Sequence, residues 1–229
     1  LGLARGATAI VPDPSADPTS ADGAARARGE AHLDWALDCV AAMGGDSLGG
    51  PLHAPLGHFT GRGPTEGELG RLAEAHRRLA ERAAPLGVAL SLEPLNRFET
   101  HILNTAAQAR AHADRVGHPA FGIMFDTFHA NIEEADPVGA PLLLGPRCGV
   151  VHASESDRGI PGRGHVPFLG TFRTLRRMGW DGQLVMEAFG AGLPEIAAAT
   201  RVWRPLFPDP DTLWTEGHAF LRRTWEEAA

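Results

Sequence analysis

The sequence predicts an α/β fold of parallel strands, a (β/α)8 or TIM barrel in which six βα units are visible. Short apolar runs alternate with helix-periodic segments at a spacing of roughly 30 residues, which is typical of right-handed βα units. The glycine fingerprint of a doubly wound dinucleotide-binding sheet is absent after the first strand. A closed barrel needs eight units and roughly 250 residues. We therefore expect about two units to be missing before residue 1, and we treat residues 1–229 as a single, N-terminally incomplete domain.

The first half of the chain contains three predicted strands and two predicted helices. The strands are residues 7–11, 47–50 and 88–92, and the helices are residues 21–43 and 66–84. Apolar residues at helical spacing, such as Leu33 and Val40, indicate the first helix, and Gly44 is placed where a left-handed cap would end it. The Pro- and Ser-rich segment 12–22 is predicted to be a loop without regular structure.

The second half repeats the alternation of strand and helix. The predicted strands are residues 121–125, 148–151 and 183–186, and the predicted helices are residues 106–116, 168–178, 196–203 and 213–225. Residues 135–144 are predicted to form only a weak helix, because Gly139 and Pro141 interrupt it. Glu133 and Glu134 are expected at its solvated start.

A carboxylate or an imidazole follows four of the predicted strands. These residues are Glu93, Asp126, His152 and Glu187, separated by 33, 26 and 35 positions. One barrel unit lies between each pair, and all strand ends of this polarity open on one face of a parallel barrel. A single acid in this position is more often a helix cap or a surface ion pair, and a lone histidine is more often a core residue. Four such groups at unit spacing favour one shared site.

The shared site has the ligand chemistry of a divalent cation. Three carboxylates and one imidazole are hard-to-borderline ligands, which suit Mn²⁺, Mg²⁺ or Co²⁺ better than a thiolate zinc site. Without a cation, three carboxylates this close together would repel one another. We therefore predict a metal site made of Glu93, Asp126, His152 and Glu187, with Mn²⁺ as the expected ion.

Composition excludes several other functions. The net charge of -7 gives no reason to expect a nucleic acid partner, and no apolar run approaches the roughly 20 residues that span a bilayer. All 21 residues counted as Lys+Arg are arginine, so a lysine Schiff base and a Walker-type phosphate loop are excluded. Cys39 and Cys148 lack metal or disulfide-framework spacing, so we interpret both as buried reduced thiols of a cytoplasmic protein.

Four ordered motifs between residues 50 and 190 resemble a known enzyme family. They are EPLNRFETHILNT, FDTFHANIEE, VHASESDRGIPGRGH and MEAFG. Together they are similar to the ketose 3-epimerases, the D-tagatose and D-psicose (allulose) 3-epimerases, which are xylose-isomerase-like TIM barrels. One departure concerns the residues after the GH of the third motif, where this chain has Pro167 and Phe168 instead of the usual Trp.

The resemblance implies a function for each motif. The family's metal ligands fall on Glu93, Asp126, His152 and Glu187, its acid/base pair on Glu93 and Glu187, and its substrate-binding residues on Glu99, His129 and Arg158. It implies epimerisation of a ketose at C3 through an enediolate, in a homo-oligomer that is a dimer or a tetramer. A proton is removed from one face of C3 and returned to the other, so two carboxylates are required.

Three alternatives remain open from the sequence. An aldose–ketose isomerase, similar to hydroxypyruvate or xylose isomerase, would use similar ligands but move the proton between C1 and C2. A non-catalytic sugar-binding barrel is a second alternative, although binding alone would not require both Glu93 and Glu187 to be acids. For Glu99, an ion pair with Arg97 in the loop is the alternative to a substrate contact.

Overall fold

Six parallel strands joined by helices carry the candidate site. The computed structural model describes residues 3–229. The strands are β1 (Gly6–Thr8), β2 (Ser47–Gly50), β3 (Ala89–Leu92), β4 (Phe121–Asp126), β5 (Cys148–Ser154) and β6 (Gln183–Glu187). They pair in sequence order, and each neighbouring pair is parallel. This is the arrangement expected of consecutive βα units, so the prediction of six units is confirmed.

Helices connect the strands and cover the outer face of the sheet. They are α1 (Gly23–Ala42), α2 (Glu66–Ala83), α3 (Ala106–Val116), α4 (Thr127–Glu133), α5 (Ala140–Leu144), α6 (Phe168–Arg177), α7 (Pro194–Thr200) and α8 (Pro210–Glu227). Capping boxes begin α2 at Thr65 and α3 at Thr105, which explains why both starts were predictable from the sequence. Within residues 3–229, no helix combines the length and apolar character needed to cross a bilayer.

The sheet curls into a half-barrel. Ser47 of β2 donates a hydrogen bond to Gln183 of β6 at 3.4 Å, although three strands lie between them in the sheet. The outer face packs against the helices through fully buried side chains such as Leu37, Leu72 and Phe172. All six strands run in the same direction, so their carboxyl ends lie on one face.

Four details of the sequence prediction are wrong. The first strand is β1, residues 6–8 rather than 7–11, because its partner β2 turns away at Gly50 (φ 111) and leaves Ile10 unpaired in the ladder. Segment 12–22 is not wholly irregular, since Asp13 caps a short 3-10 helix at Pro14–Ala16. Cys39 is exposed, whereas Cys148 is buried as expected.

The fourth correction concerns the weak helix predicted at residues 135–144. The structure has two helices instead, α4 before this segment and α5 at its end. Asp126 accepts hydrogen bonds from the first turn of α4, and the Asp136 side chain turns the chain by accepting from Val138 and Gly139. Pro141 lies in the first turn of α5, where a missing N–H costs nothing. Glu133 therefore ends a helix rather than beginning one.

Candidate metal centre and active site

Glu93 directly follows β3 and lies in the interior of the half-barrel. Its N–H donates to Gly50 O at 2.9 Å, which fixes the backbone where Pro94 turns the chain. The residue is 4% exposed. Burial, followed by the charges of Glu187 and Asp126, raises the pKa of Glu93 well above its ordinary value. In the absence of a cation, Glu93 is therefore the carboxyl group of the centre that holds a proton most readily.

Asp126 ends β4 and also caps α4. Its Oδ1 accepts from Phe128 N at 2.6 Å and from His129 N at 3.0 Å. Its Oδ2 is buried without a hydrogen-bond partner among the described residues. Burial and then the charge of Glu187 raise the pKa of Asp126. One oxygen thus begins a helix while the other is left as a free ligand atom facing the centre.

His152 lies in β5, in register with Asp126 of β4. Its Nδ1 is 3.0 Å from Glu187 Oε1 and 3.9 Å from Asp126 Oδ2. Burial disfavours the imidazolium, but the hydrogen bond to Glu187 and the charges of the carboxylates outweigh burial and raise the pKa of His152 to about 9. Without a cation, a proton on His152 therefore offsets part of the negative charge.

Glu187 ends β6 and contacts two positively charged groups. Oε1 accepts from His152, and Oε2 accepts from Arg158 Nη1 at 2.5 Å. Burial opposes its charge, but the hydrogen bond from His152 and the charge of Arg158 outweigh burial and lower the pKa of Glu187. Glu93 and Glu187 therefore have pKa values shifted in opposite directions within one centre.

The four residues fit a divalent cation. Each offers one ligand atom, and these atoms all lie within 4.8 Å of one another. Opposite ligands of an octahedral ion are roughly 4.2 Å apart when each bond is about 2.1 Å, so little movement would be needed. The partnerless Asp126 Oδ2 is the observation that points most directly to an ion. Three carboxylates and one imidazole are suited to Mn²⁺, Mg²⁺ or Co²⁺.

Arg158 extends from the loop after β5 into the centre. Its guanidinium lies over the ring of Phe128 at 3.8 Å from the centroid and 5.0 Å from that of Phe189. Its Nη2 is 3.1 Å from His129 Nε2. His129, in the first turn of α4, accepts at Nδ1 from Asn96 N at 3.0 Å. Burial lowers the pKa of His129 to about 3, so its ring is neutral.

Glu99 completes the group predicted to bind substrate. Its Oε1 accepts from Asn96 Nδ2 at 2.8 Å and lies 3.9 Å from Arg158 Nη2. The alternative ion pair with Arg97 is not formed, because Arg97 pairs with Glu133 at 3.0 Å. The structure therefore brings together all seven residues singled out from the sequence. Cavities of about 630 Å³ beside Glu99 and about 440 Å³ beside His152 border the centre, sizes typical of small-molecule sites.

Several residues around the centre were not recognised from the sequence or were interpreted wrongly. Glu133 and Glu134 were expected to be solvated, but Glu133 pairs with Arg97 and Glu134 accepts from Ala106 N at the start of α3. Glu155 and Phe189 were not singled out. Phe189 donates to Arg158 of another segment, and the partners of Glu155 depend on how the 156–166 loop folds, so no local pattern indicates either residue. His165 is exposed and lies 3.2 Å from Asn131 Nδ2.

Comparison with known proteins gives a consistent family assignment. The family model described as "Xylose isomerase-like TIM barrel" matches residues 4–224. The ketose 3-epimerase of Arthrobacter globiformis is 35% identical over 223 residues, covering 96% of this chain and 76% of that protein. A solved L-ribulose 3-epimerase superposes with a TM-score of 0.94 at 36% identity, covering 99% of this chain and 76% of the other.

A further solved structure contains a ketose. It is the D-allulose 3-epimerase from Methylomonas sp. in complex with D-allulose, with a TM-score of 0.85, 35% identity, and coverage of 92% of this chain and 73% of that one. The fold predicted from the sequence and the resemblance to ketose 3-epimerases are both confirmed by these matches. The chain belongs to the xylose isomerase-like TIM barrel family, and its relatives within that family include ketose 3-epimerases.

Proposed function

We propose that this protein epimerises a ketose at C3 with the help of a divalent cation. The observation that carries the proposal is the placement of Glu93 and Glu187. They come from β3 and β6, with the ligand-bearing strands β4 and β5 between them, so they flank the metal centre from two sides. The names of the relatives support the same reaction.

The chemistry of C3 epimerisation requires such a pair. The C3 proton is alpha to the C2 carbonyl, so its removal leaves an enediolate, and inversion requires a proton to be returned on the opposite face. A divalent cation held by Glu93, Asp126, His152 and Glu187 would supply Lewis-acid stabilisation of the negative charge that develops on the substrate. We propose that Glu93 and Glu187 remove and return the proton, and that they exchange roles with the direction of reaction.

Arg158 and His129 are proposed to hold the O1 to O2 end of the sugar, and Glu99 is proposed to orient the sugar or Glu93. The Arg158 guanidinium is held between two aromatic rings and presents N–H donors beside the centre. His129 and Glu99 lie on either side of its Nη2. Three polar groups fixed in this way would orient C3 between the two carboxylates, and such orientation supplies much of the rate enhancement in bimolecular chemistry.

The test is uptake of solvent deuterium at C3. D-fructose and D-tagatose are incubated in D2O with protein and Mn²⁺ or Co²⁺, the metal is removed, and exchange is read by NMR. We expect exchange at C3 with appearance of the epimer, and loss of both with EDTA. Glu187→Gln and Glu93→Gln should each abolish formation of the epimer. Glu133→Gln is the matched control, because that glutamate pairs with Arg97 outside the centre.

The same experiment separates the competing functions. Exchange at C1 with formation of an aldose would assign the protein as an aldose–ketose isomerase. A folded, metal-loaded protein without exchange on any ketose would be a sugar-binding barrel. Formation of the C3 epimer by Glu187→Gln that still binds the cation would refute the two-carboxylate scheme. Manganese as the physiological ion, a dimeric or tetrameric state and a cytoplasmic location stay predictions, to be tested by metal analysis, light scattering and fractionation.

A further inference from the structure

One buried carboxylate beside the centre has no place in the proposed chemistry. Glu155 follows β5 and is 0% exposed. Its Oε1 accepts from Ser156 N at 2.8 Å and from Val166 N at 3.1 Å, and its Oε2 accepts from Gly162 N at 2.8 Å. Burial opposes the charge, but the hydrogen bonds from these backbone N–H groups outweigh burial and lower the pKa of Glu155. Backbone N–H groups therefore hold a full negative charge in the interior.

The loop of residues 156–166 closes tightly around this carboxylate. A Cβ atom on Gly164 would collide with Glu155 Oε1 and Ser156 Oγ. Gly162 has φ +90, and a Cβ atom there would collide with the ring of Phe220. Successive N–H groups pointing at one anion form a concave nest. Here the anion is part of the chain, so the nest gives the loop its shape instead of binding a ligand.

Arg158 lies inside this loop in a strained conformation. Its φ of 66 is in the left-handed region, which a side chain other than glycine rarely adopts. Its N–H donates to Glu155 O at 2.9 Å, and its own carbonyl accepts from Phe189 N at 2.9 Å. Such strain persists only where the surroundings over-determine the backbone. Glu155 provides that constraint twice, through its carbonyl and through its side chain.

We infer that Glu155 is a positioning residue: its buried carboxylate, which accepts hydrogen bonds from three backbone N–H groups of the 156–166 loop, holds Arg158 in the conformation that aims its guanidinium at the metal centre. The inference rests on the proposed function, because it takes its importance from the substrate contact assigned to Arg158. Glu155 itself is neither a candidate metal ligand nor a proposed substrate contact. Its effect passes through the loop.

A double-mutant cycle tests this path. Glu155→Gln keeps the size of the side chain but turns an amide NH2 toward N–H donors. We expect its kcat/KM for C3 epimerisation to fall roughly 10²-fold, the order of loss that follows misplacement by about 1 Å. The dissociation constant for Mn²⁺ should change less than about twofold, since all four ligands stay in place. In an Arg158→Ala background, Glu155→Gln should cost less than about threefold.

A control variant and the result that would refute the inference accompany the double-mutant cycle. Asp209→Asn alters a carboxylate that also accepts a backbone N–H, from Thr212 at 2.7 Å, but at the start of α8. It should leave kcat/KM unchanged within about twofold. If Glu155→Gln costs the same factor with and without Arg158, the two residues act independently and the inference is wrong.

Hydrogen exchange gives a readout that does not depend on activity. In the wild-type protein the amides of Ser156, Arg158, Gly162, Val166 and Phe189 should exchange at least about tenfold more slowly than those of the exposed loop 58–63. Glu155→Gln, or Gly164→Ala if the first variant does not fold, should remove that protection. Fast exchange of these amides in the wild type, or unchanged protection in the variants, would overturn the inference. Absence of C3 exchange in a wild type with protected amides would instead refute the proposed function.

Discussion

Three buried histidines behind β3 predict that the protein is destabilised by mild acid. His76 Nε2 lies 3.0 Å from Leu52 O, and its Nδ1 lies 2.9 Å from His112 Nε2. A carbonyl only accepts, so His76 carries its proton on Nε2, and its Nδ1 accepts from His112 Nε2, which makes the His76 ring neutral. Neither ring nitrogen of His53 has a hydrogen-bond partner in the described part of the chain. Burial lowers the pKa values to about 3 for His53, about 4 for His76 and about 2 for His112.

The sign and size of the effect follow from proton linkage. Above pH about 6.5 the three rings are neutral in both the folded and the unfolded chain, so they contribute nothing. Below this pH the three histidines bind protons in the unfolded chain but not in the folded chain. The free energy of unfolding therefore falls as the pH decreases toward the pKa values of the three rings in the folded protein. At about pH 5.5 each ring shifts the unfolding equilibrium about tenfold, so three shift it about 10³-fold, or about 4 kcal/mol. This result depends only on the folded pKa values lying well below 5.5.

The assay is urea unfolding of the metal-free protein at about pH 7.5 and about pH 5.5, followed by tryptophan fluorescence. His112→Gln keeps an N–H donor for His76 but cannot titrate. Between the two pH values the free energy of unfolding of this variant should therefore fall by about one third less than that of the wild type, a difference of about tenfold in the unfolding equilibrium. His58→Gln, in an exposed loop, is the matched control and should behave as the wild type. An equal pH-dependent loss in His112→Gln and the wild type would show that His112 is not held neutral by the fold.

Three further predictions concern the metal centre and the packing of a helix. The pKa of Glu93 is raised and that of His152 is raised to about 9, so a cation must displace protons from the centre, and Mn²⁺ affinity should rise between about pH 6 and about pH 8. Calorimetry in two buffers of different ionisation enthalpy would detect the released protons. Binding heats that do not depend on the buffer would contradict the prediction. Asp126→Asn keeps the cap through Oδ1 but loses the anionic Oδ2, so metal affinity should fall at least about 10²-fold while the metal-free unfolding temperature is retained. Gly29→Ala should destabilise the protein by about 1–3 kcal/mol in chemical denaturation, because the added Cβ atom would lie 2.7 Å from Ala16 O. In Gly70→Ala the added Cβ atom has no neighbour within 4 Å, so this variant should be stabilised by up to about 1 kcal/mol. Equal effects of the two substitutions would refute the packing argument.

The sequence predicted the elements whose signals are local. The predicted helix 106–116 and strand 47–50 have the observed bounds, and a capping box at Thr105 explains the start of the helix. Helix α4 was missed although Asp126 is a good N-cap, because that residue was assigned only as a ligand. The exposure of Cys39 could have been read from α1, where the buried face is formed by Leu33, Leu37 and Val40.

The predicted site residues come together because strand polarity is a long-range rule that needs no contact information. Each group at the end of a parallel strand is delivered to the same face regardless of the sequence around it. The roles of Glu133, Glu134 and Glu155 follow no such rule. Glu133 pairs with the Arg97 side chain, and Glu134 accepts from the Ala106 N–H, both in other segments. Glu155 accepts from the Val166 N–H across a loop. Loop geometry decides these contacts, and no periodicity encodes it.

The distribution of charge shows why these loop contacts matter to the site. Three carboxylates meet in a buried space, and without a cation they are offset by a proton on His152, by Arg158 and by the raised pKa of Glu93. The strands place the carboxylates, but a loop places Arg158, in a backbone conformation that its own side chain disfavours. A fourth buried carboxylate, that of Glu155, accepts hydrogen bonds from the backbone of that loop and is inferred to shape it. The proposed epimerisation therefore depends on a positioned cationic side chain as well as on the four ligands, and substitutions in the 156–166 loop should lower kcat/KM without replacing a ligand.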